Sequence, residues 1–184
     1  MSFSLFKSNM KFYMENQNGI EKYQDWTDKI VSEYDSCVKR GGDMMNGKIP
    51  VQIGKTSAMK SMVNIACMNG LNGSEQFYND FGKGVVAYWT GAEMSPFPIP
   101  LTPAPSSVQN IQTTKGIVSN PGTWPSGKLF PTDKVTTFLD RIVSGMQGHI
   151  NTVGGEYYTQ SLYPAGPSMI VLPGMVKWMG YTIP

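Results

Sequence analysis

Charge is scarce in this 184-residue chain: 15% of its residues are Asp, Glu, Lys or Arg, against roughly a quarter in an average globular domain. So little charge excludes a highly charged disordered tail, and it leaves much of the surface uncharged polar or apolar. Of the 15 basic residues only Arg40 and Arg141 are arginines, and the net charge is +2. That is a poor endowment for gripping phosphates or reading bases, so no specific nucleic-acid partner is expected. Histidine is nearly absent as well. His149 stands alone, flanked by Gln147, Gly148, Ile150 and Asn151, which supply neither a nucleophile nor an orienting acid. No metal site and no cofactor are expected, because no His/Cys cluster exists to hold one. His149 is expected to be partly exposed near a helix C-terminus. Cys37 and Cys67 fall on different predicted helices and read as buried, reduced thiols. No apolar run approaches the ~20 residues that span a bilayer. The first residues show no secretory pattern, and Ser2 excludes N-myristoylation. Folding in a cytoplasm with no membrane partner is the expectation.

Helical periodicity is what the chain does have. Phe6, Met10, Tyr13 and Met14 outline a short first helix, with Ser4 as its cap. Ile20, Tyr23, Trp26, Ile30, Tyr34, Cys37 and Val38 make one stripe on a helix from about 20 to 40, closed by Gly41-Gly42. A third helix spans about 56–68 and is expected to bury Ala58, Met59, Met62, Val63 and Ala66. Ser74 caps a fourth, whose face is Phe77, Phe81, Val85, Tyr88 and Trp89. Gly82 and Gly84 weaken that helix and are expected to mark a close approach of another backbone, from a helix of this fold or a neighbouring subunit. A fifth begins near Thr132, with a clean stripe through Val135, Phe138, Leu139, Ile142, Val143, Met146 and Ile150.

Between the fourth and fifth helices the composition changes. Pro96, Pro98, Pro100, Pro103 and Pro105 alternate with Phe97, Ile99 and Leu101, which excludes helix and favours extended backbone. Residues 108–118 have room for one or two short strands, followed by turns at Asn120-Pro121-Gly122 and Pro125-Ser126-Gly127. Residues 169–172 have the apolar content of another strand. The fold class is therefore α+β and mainly helical, as one domain over 1–184. It has a helical body (about 4–91 and 132–152), a Pro-rich arm (about 92–131) and an extended C-terminal tail (about 153–184).

Two constellations test the enzymatic option. Gly54-Lys55-Thr56 precedes a helix as in a phosphate-binding loop, but the first glycine of that motif is missing: Ile49 occupies its position. The carboxylate pairs Glu75/Asp80 and Glu93/Glu156 are the candidates for cleaving a cell-wall glycan by acid and base. Any chain with 13 acidic residues offers such pairs, so no catalytic residue is assigned and the chain is read as a non-enzyme. The aromatics of the loop-rich half carry more information. Trp, Tyr and Met are enriched in interface cores, so Phe97, Ile99, Leu101, Trp124, Tyr163, Trp178 and Tyr181 are the candidate interface residues.

The layout is a helical half ending in Ala87-Tyr88-Trp89, then a Pro-rich segment, Gly/Thr-rich turns, an amphipathic helix and an uncharged tail. It resembles the small virion structural proteins of tailed bacteriophages. The resemblance implies a non-enzymatic tail or baseplate subunit of the virion. Such a subunit is present in multiple copies and docks on other virion structural proteins through its arm and tail. The alternatives are a small glycan-cleaving enzyme and a head-to-tail (neck) connector component.

Overall fold

A computed structural model describes residues 2–16, 22–45, 49–70, 74–96, 109–126, 134–165 and 168–184. The five apolar stripes each form a helix over their described residues, Ile20 of the second lying outside these: α1 (Phe3–Asn16), α2 (Tyr23–Val38), α3 (Thr56–Met68), α4 (Glu75–Trp89) and α5 (Val135–Ile150). Ser74 caps α4 by accepting a hydrogen bond from the Phe77 backbone N–H at 3.2 Å. This satisfies one of the donors that every helix start leaves free. Among the described residues no helix is long and apolar enough to cross a membrane.

The second half is more regular than its turn-rich sequence implies. Strands β2 (Val51–Ile53), β3 (Glu93–Met94), β4 (Gln109–Asn120), β5 (Gly154–Ala165) and β6 (Ser168–Met179) make an antiparallel sheet in that order. Strands β1 (Gly42–Asp43) and β7 (Tyr181–Thr182) pair separately. Where one or two short strands were expected, β4 is a single strand of 12 residues. The tail is likewise paired rather than simply extended. β5 and β6 match without a slip from Gly154 opposite Met179 to Ala165 opposite Ser168. The fold is thus α+β and mainly helical.

The buried side chains form one cluster drawn from helices and strands alike. Trp26 packs edge-on against Phe77 and Phe81 and tilts over Phe138, joining α2, α4 and α5. The stripe residues Ile30, Tyr34, Val63, Phe81, Val85, Phe138, Leu139 and Ile142 are all buried. Some polar tips in this core are partnered, whereas Trp26 Nε1, Trp178 Nε1 and both His149 ring nitrogens have no well-formed hydrogen bond among the described residues. Trp89 Nε1 donates to Tyr34 Oη at 2.8 Å, and Tyr181 Oη donates to the Val38 carbonyl while accepting from the Val51 N–H. Asp43, fully buried, accepts from Tyr157 Oη at 2.9 Å and from the Met45 and Ile49 N–H groups.

Three local expectations need correction. Ser4 lies inside α1, and it is Ser2 Oγ that accepts from the Leu5 N–H at 3.3 Å. His149 is fully buried, not partly exposed. It lies between the rings of Trp89 and Trp124, because the chain after Pro121 crosses back over the end of α5. On α3, Ala58 and Met62 face outward, since α2 and α4 take Met59, Val63, Ala66 and Cys67 as the contact stripe. Gly84 admits this close α3–α4 approach, with Val63 against the space a Cβ would fill.

Candidate functional site

The two carboxylate pairs are placed differently: Glu75 and Asp80 diverge around a helix, whereas Glu93 and Glu156 share one face of the sheet. Glu75 and Asp80 sit five residues apart on α4, roughly 140° around the helix, and Asp80 is engaged by Lys83 at 2.7 Å. Glu93 and Glu156 occupy one row of the sheet, each opposite Ile117 on the strand between them. Two strand spacings separate their backbones by roughly 10 Å. Glu93 faces Lys55 at 3.7 Å, and Glu156 accepts from Tyr158 Oη at 3.4 Å. The Gly54-Lys55-Thr56 start of α3 borders an open pocket of about 500 Å³ that Ala87 and Thr90 line from the end of α4. Burial pushes the Cys37 and Cys67 thiols up to about 11. Both therefore stay protonated and unreactive at neutral pH. Among the described residues no group of three His, Cys, Asp or Glu side chains is arranged to hold a metal ion.

The candidate interface residues divide four ways. Phe97, Ile99 and Leu101 lie outside the described residues. Tyr163 belongs to β5, opposite Ile170 of β6. Trp178 and Tyr181 are 3% and 0% exposed and belong to this chain's own core. Their assignment to a docking surface is corrected, because pairing of β6 with β5 and of β7 with β1 turns both rings inward. Trp124 is half-buried and also serves the fold. Its indole fills the space that side chains at Gly82 of α4 and Gly145 of α5 would take, and it rests on Tyr78 at 4.9 Å between ring centroids. The glycines that weaken these helices locally are what admit this ring.

Apolar surface remains exposed elsewhere. On α3, Ser57, Ala58, Ser61, Met62, Ile65, Met68 and Asn69 form one continuous uncharged face, spanning about 140° at 100° per residue. Met62, Ile65 and Met68 are 41%, 52% and 69% exposed. The nearest charge on the helix, Lys60, is drawn aside to Asp28 at 2.8 Å. The outer face of the sheet carries Ile53, Tyr158, Met175 and Met179, exposed among Lys115 and Lys177. Sequence reasoning missed the α3 surface because a methionine on a helix is by default a core residue. The available signal was that α3 is apolar over more of its circumference than one stripe requires. No protein-family model, curated protein or solved structure matches the chain.

Proposed function

We propose that this chain is a non-enzymatic structural subunit of a multi-chain particle, in the tail or baseplate of a tailed-phage virion of the kind its layout resembles. The observation that carries the reading is the outer face of α3. Three large apolar side chains stand in water there along an uncharged strip. Burying each fully contributes about 1.5–3 kcal/mol before ordering costs, and methionine is enriched where surfaces associate. The low overall charge points the same way, since a freely dissolved monomer gains from a charged surface.

The test is the variant Met62→Ser/Ile65→Ser/Met68→Ser in the full chain, supplied to particles that lack the wild-type protein. Because the three side chains lie outside the core, the melting temperature should stay close to wild type. Incorporation into particles should be lost. Normal incorporation of a folded variant overturns the role of α3, and absence of the wild-type chain from purified particles overturns the reading altogether. A density map of the particle then separates a tail or baseplate position from a neck position.

A further inference from the structure

The outer edge of β6 offers a second, different kind of surface. The strand runs for 12 residues at the end of the sheet order, about twice the usual strand length. Among the described residues no strand pairs with its outer side. Natural sheets usually shorten, bulge or cover a long free edge, or set Lys and Pro on it; β6 has no register slip against β5 and carries only Pro173 and Lys177 of these devices.

Two observations fix which backbone groups point outward. The Gly180 N–H donates to the Val153 carbonyl at 2.8 Å, so pairs in phase with Gly180 bond inward, to the preceding strand. Pro173 lies opposite Gln160, out of phase with Gly180, where a residue without an N–H leaves the β5–β6 ladder intact. Met175, Lys177 and Met179 share the phase of Pro173. Their N–H and C=O groups therefore face the open edge, and all three side chains are exposed.

We infer that β6 pairs edge-to-edge and antiparallel with β6 of a second copy of this chain, about a two-fold axis at Met175. This rests on the multi-chain reading above and supplies one of its contacts. Unpaired strand groups are satisfied by another extended backbone, and a closed two-fold contact needs the same patch to serve both copies. The sequence of the edge selects the axis. Centring on Lys177 sets two lysines directly opposite, and centring on Val176 leaves them diagonal neighbours about 7–8 Å apart; both oppose pairing. Centring on Pro173 removes the donors at the axis. Centring on Gly174 leaves no side-chain pair there. Centring on Met175 sets two exposed methionines against each other and moves each Lys177 opposite a Pro173.

Paired residues at the axis have Cα atoms about 5.5 Å apart, within disulfide reach. The two Lys177 positions would be roughly 14 Å apart, beyond that reach. Met175→Cys in the full chain should cross-link rapidly to a covalent dimer under mild oxidation. Lys177→Cys should not, and the buried Cys37 and Cys67 leave the background low. Met175→Lys sets like charges at the axis and should raise the dimer dissociation constant about tenfold in analytical ultracentrifugation, with an unchanged melting temperature. A chain that dimerises while Met175→Cys fails to cross-link overturns this edge and leaves the multi-chain reading standing. Cross-linking of Lys177→Cys but not Met175→Cys overturns the axis. A chain monomeric at every concentration, yet incorporated into particles, overturns the self-pairing and not the structural role. A chain both monomeric and absent from particles overturns both.

Discussion

Acid should destabilise this protein through His149, and the effect can be worked from its surroundings. The ring is fully buried between Trp89 and Trp124, and neither ring nitrogen has a well-formed hydrogen bond among the described residues. Burial disfavours the charged ring and lowers its pKa from 6.5 to about 4, while the nearby Pro121 carbonyl opposes this weakly. Above pH 6.5 the ring is neutral both folded and unfolded, and it contributes no pH dependence. Below 6.5 the unfolded chain takes up a proton that the folded chain refuses. Stability is then lost as pH falls, until the folded ring also protonates near pH 4. At about 1.4 kcal/mol per pH unit the loss is about 3 kcal/mol across this window. Urea midpoints of wild type and His149→Leu, measured from pH 7.5 to pH 4, isolate this contribution because carboxylate titrations are common to both. The difference between the two proteins should shift by about 3 kcal/mol towards the variant, with half the shift complete near pH 5. A difference that stays constant over this range refutes the burial argument, and so does one that changes only below pH 4.

Three further outcomes rest on packing and hydrogen bonds. Gly145→Ala drives a methyl group into the Trp124 indole and should destabilise by about 1–3 kcal/mol in thermal melts, with a change in Trp fluorescence. Tyr181→Phe removes both the donor to Val38 and the acceptor for Val51. The two stranded groups should lower stability by about 1–3 kcal/mol in urea titration. Asp43→Ala leaves Tyr157 Oη and the Met45 and Ile49 N–H groups without their carboxylate. It should cost at least as much as Tyr181→Phe, and hydrogen exchange should increase around β1 and β7.

Periodicity along the chain was enough to locate the helices within a few residues and to name their core stripes, from Ile30 and Tyr34 on α2 to Phe138 and Ile142 on α5. Spacings of three and four are local, and each stripe buries itself whatever its partner. Capping by Ser74 is local in the same way, and the burial of Cys37 and Cys67 follows from their positions on helices. The candidate surfaces were far less legible. Whether Met62 lies inside or outside α3 depends on the angle at which α2 and α4 meet it, and an amphipathic stripe wider than its contact leaves that choice open. Trp178 and Tyr181 looked like docking residues in a loop-rich tail until pairing with β5 and β1 turned them inward. Strand pairing joins residues far apart in sequence: Gly42 meets Thr182, and Glu93 meets Ile117. The Trp124 notch needs Gly82 and Gly145 brought together from two helices. His149 is buried because the segment after Pro121 folds back across α5. In each case the deciding neighbour is distant along the chain, so a side chain's exposure was set by assembly of the elements, after local sequence had determined only what those elements are.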